Sequence, residues 1–418
     1  MRKILVLLVL SSLCVLVKAQ DISYVREKAA MLSSADMKGR GYVGNGLAQA
    51  AAYIASSYKE AGLNPLGEGY FQPFTQQVNV FPGAVEVKVE DMVLMPGKDY
   101  LVDPASPSHQ GLYRAKVYDG NNLRAIPNPM LFKEQCADCI LVLDMNAVEE
   151  EDIKERARQI KEMFSSIVPV IWMSDEKLAW SVADEQRGFP VLEMNNGYIV
   201  DNAFIAMDIE ADLRKDFLAD NVIAKVEGTQ YPDSFMVFTA HYDHLGMMGE
   251  EATFLGANDN ASGVSVMLSL AKYYAENPQP CTMVFIAFAG EEAGLVGSKY
   301  FVDHPSIDLK AIRLLVNLDL MGSGVEGIMV VNGKENPKVM KILQKENDTQ
   351  GYLPKVGQRS QSANSDHYYF AEAGVPAVFI YALGGSSAYH DIFDVYENLT
   401  FEEYPDIFRL LTHLSESY

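Results

Sequence analysis

The stretch from Phe238 to Gly294 constrains this chain more than any other. Two runs rich in apolar and β-branched residues each end in a burst of metal-compatible side chains. The first ends at His241-Tyr242-Asp243, the second at Glu291-Glu292. Between them, Asp259 stands immediately before a helix start at Asn260-Ala261-Ser262-Gly263. In open α/β sheets, ligands collect outside the carboxyl ends of the strands, and these residues fall at such ends.

The pattern around this stretch predicts strands over 220–226, 234–240, 282–289, 314–320, 327–331 and 375–382. Helices are predicted over 260–275, 294–303, 337–347, 366–373 and 404–414. Strands alternating with helices describe a mixed, mostly parallel central sheet covered on both faces. The same body includes residues 20–79, where two helices flank a glycine-rich loop, Lys38 to Gly46. A nucleotide-binding reading of those glycines lacks the preceding strand that such a motif needs. Residues 80–202 have another texture, with short alternating runs, turns rich in Pro, Gly and Asn, and one charged helix over 149–163. This part reads as an inserted, β-rich smaller domain, with the body resuming at 203 and running to 418.

Residues 1–19 read as a targeting segment rather than fold. A basic head, Met1-Arg2-Lys3, precedes an apolar run from Ile4 to Val17 and a small-residue cleavage pattern, Val17-Lys18-Ala19. Cys14 would suit a lipid anchor, but Leu13 before it is larger than such sites accept, so simple export to the periplasm or medium is the expectation. Cleavage would lower the basic count from 34 to 31 against 56 acidic residues, a net charge of −25. That excess argues against nucleic acid or an anionic membrane as partner, since both need a basic face. The remaining cysteines are Cys136, Cys139 and Cys281. Cys136-x-x-Cys139 could be a local disulfide, two free thiols or half a zinc site, and no second pair exists to complete the last.

The candidate ligands at strand ends are His241, Asp259, Glu291, Glu292, Asp319 and His390. Four carboxylates and two histidines crowd too much charge into one apolar site without cations. A pair of divalent ions about 3.5–4 Å apart resolves the conflict, and histidine with carboxylate suits zinc. One carboxylate must then bridge, and Asp259, alone on its loop, is placed to do so. In the adjacent pair Glu291-Glu292, one side chain can hold metal while the other faces a metal-activated water as general base. His109, His304 and His413 carry no such context and read as ordinary surface or core histidines. His244 lies near the site, outside the ligand set.

These motifs, in their order, resemble the co-catalytic di-zinc exopeptidases (clan MH) that include bacterial leucyl aminopeptidase, glutamate carboxypeptidase and the transferrin receptor. They are His241-x-Asp243, Gly256 to Gly263, Ala289 to Ser298, Asn317 to Gly322 and the late His390. The resemblance is strong from 220 onward, moderate over 30–70, and only loose between the inserted region and a protease-associated domain. It implies the zinc-exopeptidase fold and two Zn2+ per chain. His241 and Asp319 would hold one ion, Glu292 and His390 the other, with Asp259 bridging. Glu291 would be the catalytic base, and Asp243 would orient His241. The resemblance also implies a cis peptide at Asp259-Asn260, a family position at Asp394, and a family segment at Ser365-Asp366-His367. In that segment, Asp366 and His367 either line the substrate pocket or cap a helix.

The expected function is an exported zinc aminopeptidase acting on peptides. A glutamate-type carboxypeptidase would need cations to hold a free carboxylate, and 241–263 holds no Lys or Arg, although Lys355 and Arg359 lie elsewhere. A glutaminyl cyclase shares fold and ligands but not the Asn260-Ala261-Ser262-Gly263 sequence or an inserted domain. A receptor-like binding protein would have lost ligands, and here all six positions are filled.

Overall fold

The computed structural model describes residues 21–195 and 199–418. The expected targeting segment 1–19, with Cys14, lies outside the described residues. Helix α1 (Ile22–Leu32) starts on Asp21, whose carboxylate accepts from the Ser23 amide at 3.1 Å. Helix α2 (Gly46–Glu60) follows, burying Leu47, Ala50, Ala51 and Ile54 along one stripe. The main sheet is then built from β1 (Phe71–Val80), β2 (Asp212–Val226), β3 (Tyr231–His241), β4 (Cys281–Phe288), β5 (Ile312–Asp319), β6 (Gly327–Val331) and β7 (Ala377–Leu383). Helix α3 (Gly263–Glu276) links β3 to β4.

The strands lie in the order β1, β2, β4, β3, β5, β7, β6, followed by Val356–Gln358. The four central strands β4, β3, β5 and β7 run parallel. The antiparallel neighbours β2 and β6 flank them. All eight residues of β4 are buried, as expected of a strand covered on both faces, which reads as an unbroken apolar run. Phe238 of β3 and Phe285 of β4 stand opposite one another and stack at 5.9 Å. That pairing fixes the register with which β3 delivers His241 beside the end of β4.

Two sequence expectations shift. Strand β1 escaped notice because its Pro73 and three glutamines mask the alternation that buries Phe74, Gln76 and Val78. The chain also returns to the main sheet at Asp212 rather than at 203. Phe204–Ile209 alternates exposed and buried residues and pairs with Val85–Val89 and His109–Asp119 in a second sheet.

That second sheet runs Met92–Val93, Val85–Val89, Phe204–Ile209, His109–Asp119, Cys139–Asp144, Val170–Ser174, Val191–Asn195 and Tyr100–Val102. Half of it is parallel, from His109–Asp119 through Val191–Asn195. Parallel neighbours need crossovers, and Pro129–Gln135 and Glu151–Phe164 supply two as helices. The unit is therefore α/β where alternation alone suggested a β-rich domain. Cys136 and Cys139 are bonded as a disulfide at the mouth of the first crossover.

The two sheets meet over the loop that follows β3. Leu245, Met248, Ala252 and Phe254 of that loop belong to the apolar core of the second sheet, with Phe81 and Trp180. The Lys38–Gly46 loop packs against it. A Cβ on Gly39 would meet the Phe254 carbonyl oxygen at 2.1 Å, and one on Gly41 would meet the Gly246 Cα at 2.3 Å. Those glycines therefore serve close backbone approach. The approach delivers Arg40, which is fully buried, to the carbonyls of Tyr242 (2.7 Å), Leu32 (2.7 Å), Leu255 (2.7 Å) and Gly256 (2.6 Å). Burial lowers its guanidinium to about 10, although Asp394, Asp259 and Asp243 pull the other way. Replacing Arg40 by Met would strip several buried carbonyls of their donor, at about 1–3 kcal/mol each. Arg40→Met is expected to lower the urea-unfolding free energy by at least ~3 kcal/mol, and a loss below ~1 kcal/mol would contradict this role.

Candidate metal centre

Strand β3 ends on His241 and β5 on Asp319, while Glu291 and Glu292 follow β4 after a two-residue turn. Asp259 comes from the loop before α3, and the peptide between Asp259 and Asn260 is cis. His390 comes from the segment after β7. All six are brought to one place. His241 Nε2 lies 3.2 Å from Asp259 Oδ1 and 3.5 Å from Asp319 Oδ2. His390 Nε2 lies 3.1 Å from Asp259 Oδ2 and 3.3 Å from Glu292 Oε2. Each oxygen of Asp259 thus faces a different imidazole–carboxylate pair. Zinc held at about 2.0–2.1 Å from nitrogen and oxygen separates neighbouring donors of a tetrahedron by about 3.3 Å. The histidine-to-carboxylate distances of both triads match that spacing, and Asp319 Oδ1 is buried with no hydrogen-bond partner. The donor set fits two such ions sharing Asp259.

Tautomers follow from the far nitrogens. His241 Nδ1 faces the backbone carbonyl of Asp243 at 3.2 Å, and His390 Nδ1 faces the carbonyl of Trp180 at 3.0 Å. A carbonyl only accepts, so each Nδ1 carries hydrogen and each neutral ring leaves its Nε2 lone pair to the site. The carboxylate of Asp243 has a different task from the expected one. It lies 3.8 Å from His241 Nδ1 and instead accepts from the Tyr42 hydroxyl at 2.8 Å and from the amides of Glu291 and Glu292 at 3.2 and 3.3 Å. It positions the glutamate pair, while its backbone orients the histidine.

Three further residues hold the ligands. Asp394 accepts from the amides of Asn258 (2.8 Å) and Asp259 (3.0 Å), which fixes the bridging loop. His244 Nδ1 lies 2.7 Å from Glu292 Oε1, the oxygen turned away from His390. Tyr389 stacks on His390 at 4.0 Å between ring centres. Sequence reasoning missed Tyr42, Trp180 and Tyr389. Only Tyr389, beside His390, carried a positional signal. Asp366 and His367 are fully buried, and neither the carboxylate oxygens of Asp366 nor the ring nitrogens of His367 find a partner. They are closed off from solvent and so do not line an open pocket wall, and the Asp366 side chain makes no helix-cap bond. His304 and His413 are bound to local groups, and His109 stacks on Tyr113.

The charges strain against one another. Burial lowers the imidazolium of His241, but Glu291, Asp319 and Asp259 overcome it and raise the group well above its ordinary value. His390 follows the same balance, with burial outweighed by Asp259 and Glu292, to about 9. Burial, with Asp259 and Glu292 adding and His241 opposing, pushes Asp319 up to about 6. Glu291 is raised well above the usual carboxylate range, first by burial and then by Glu292, Asp366 and Asp319, against the pull of His241. Burial also lifts Asp366 to about 7 and lowers His367 to about 4.

Residues 221–415 match Peptidase family M28. Over 163 residues the chain is 36% identical to Aminopeptidase YwaD of Bacillus subtilis, a stretch covering 37% of this chain and 33% of that protein. Over 215 residues it is 27% identical to a probable zinc metalloprotease of Pyricularia oryzae, covering 49% and 40%. The matched stretches thus span well under two thirds of these relatives. The fold is similar to that of a zinc aminopeptidase from Bacillus subtilis, with TM-score 0.69, 19% identity and 94% of both chains covered.

Zinc binding here would have to displace protons. His390 is raised from 6.5 to about 9. In chelator-treated protein, its pairing with carboxylates stabilises the fold fully below about 6.5, and that contribution is lost as pH climbs through about 9. Zinc needs the neutral ring, so affinity moves the other way. Measured against a competing chelator, zinc affinity should rise between pH 6.5 and 8.5 by up to about tenfold per unit for each proton displaced. A pH-independent affinity would contradict the pairing.

Proposed function

We propose, from the match of residues 221–415 to Peptidase family M28, that this chain is an exported zinc aminopeptidase removing N-terminal residues from peptides. One observation carries the reading. Asp259 divides its two oxygens between the His241–Asp319 and His390–Glu292 pairs, while the carboxylate of Glu291 stands beside them in neither pair.

His241 and Asp319 would hold one Zn2+, Glu292 and His390 the other, and Asp259 both. When bound, the two ions acidify water and polarise a carbonyl. Glu291 then has the base's part. It takes a proton from the attacking water as the new C–O bond forms, and returns it to the leaving nitrogen as the C–N bond breaks. Its burial suits a base whose proton affinity must rise above that of an exposed carboxylate. Asp243 holds the backbone of Glu291 and Glu292 in place for this transfer.

The amine-end preference is supported by charge. A carboxypeptidase would need a free cation at the site, yet Arg40, the fully buried arginine beside it, is turned to backbone carbonyls. Export is supported by the segment 1–19, the acidic excess and the Cys136–Cys139 disulfide, which suits an oxidising compartment. Among the described residues, no helix is long and apolar enough to cross a membrane.

Hydrolysis of free-amine and N-blocked dipeptides and aminoacyl anilides, with and without chelator, tests the reading. Turnover of free-amine substrates only, abolished by chelator, is expected. Glu291→Gln should keep its zinc and lose about 10²–10⁴ in kcat. Cleavage of blocked substrates with a free carboxylate would move the assignment to a carboxypeptidase. An unimpaired Glu291→Gln would remove Glu291 from the base's role.

A further inference from the structure

The ligand His390 is held by a segment of the second sheet, far away in sequence. Its left-handed backbone (φ +55°) is a conformation a non-glycine residue keeps only when its surroundings impose it. The surroundings here are residues 177–182, in the loop between Val170–Ser174 and Val191–Asn195. The Trp180 amide donates to the His390 carbonyl at 2.8 Å, and His390 Nδ1 donates to the Trp180 carbonyl at 3.0 Å. Three residues earlier, the Lys177 ammonium donates to the carbonyls of Ser387 (2.8 Å) and Tyr389 (3.1 Å) and lies 2.6 Å from the Asp391 carboxylate. The four acceptors from 387 to 391 are thus drawn onto one loop of the other sheet.

That loop is itself anchored. The Trp180 ring is buried and stacks on Phe254 at 4.7 Å, and its Nε1 donates to the Val102 carbonyl at 2.8 Å. Phe254 belongs to the loop that follows His241. Trp180 therefore ties the second sheet to both histidine-bearing segments, but only His390 takes its ring partner from that sheet. His241 takes its own from Asp243, two residues away.

We infer that the 177–182 loop is a latch, in which Lys177 and the Trp180 backbone set the backbone and ring orientation of His390, so that the second sheet controls one of the two metal positions. This rests on the two-metal reading above. Lys177 and Trp180 are positioning residues and touch neither metal nor substrate. Partners that orient a ligand imidazole are worth about 10- to 100-fold in metal affinity. The effect should fall on the Glu292–His390 position and spare the His241–Asp319 position.

Full-length protein freed of metal is titrated with zinc against a chromophoric chelator, and with Co2+ followed by its visible absorption. Wild type should bind two ions. Lys177→Met, whose side chain is half exposed in the parent and which should leave the fold intact by circular dichroism, should bind one ion with wild-type affinity and the second about 10- to 100-fold more weakly. Lys177→Arg, which keeps the cation, should recover most of the second affinity. Wild-type affinity at both positions in Lys177→Met, or equal weakening at both, would overturn the latch. A wild-type protein that binds fewer than two ions would instead overturn the two-metal reading, and the latch with it.

Discussion

One carboxylate, Asp259, is shared between two imidazole–carboxylate pairs, and the rest of the structure is arranged to make that sharing tolerable. Asp259, Asp319, Glu291 and Glu292 bring four carboxylates to one site, with Asp259 and Asp319 buried and the two glutamates partly so. Protonating both imidazoles offsets only half of them. Burial makes the remainder costly and raises Glu291 and Asp319, while the carboxylates raise both histidines against burial and the two imidazoles hold Asp259 low. Two divalent cations with neutral imidazoles would balance the four carboxylates.

Much of the positioning of the candidate ligands runs through backbone groups. Backbone carbonyls orient both histidines, and backbone amides satisfy Asp243 and Asp394. Arg40, fully buried, faces carbonyls and not the candidate ligand carboxylates, so it binds the loops after β3 and before α3 without pairing with those carboxylates. A dipole placed this way stiffens the ligands while leaving their charge free for the cation. The parallel strands supply the scaffold. β3, β4 and β5 run side by side in one direction, so the residues at or just beyond their ends converge at one edge of the sheet.

The main sheet and the convergence of the six candidate ligands were legible because both are written locally. The runs ending at His241 and at Glu291 have the unbroken apolar character of buried parallel strands, and the ligands sit at their ends. What stayed hidden depends on distant pairings. Strand β1 finds its partner in β2 some 140 residues on, and its own glutamine-rich sequence gives no cue. The second sheet looked β-rich because its helix Pro129–Gln135 spans seven residues, too few to show a period. Phe204–Ile209 fits either sheet by alternation, and only its pairing decides. Asp243 was recognisable as a partner of the site, but not that its backbone would serve His241 while its side chain served the glutamates. Trp180 and His390 are 210 residues apart, and nothing in either neighbourhood announces the contact.

The most direct test is the zinc content of the chain at saturation, by mass spectrometry of the native protein, for wild type and for Asp259→Asn. The account predicts two Zn2+ in the wild type and loss of affinity at both positions in Asp259→Asn, because one side chain serves both. A single ion at saturation, or a variant that loses one ion and holds the other with wild-type affinity, would contradict the shared carboxylate on which the account rests.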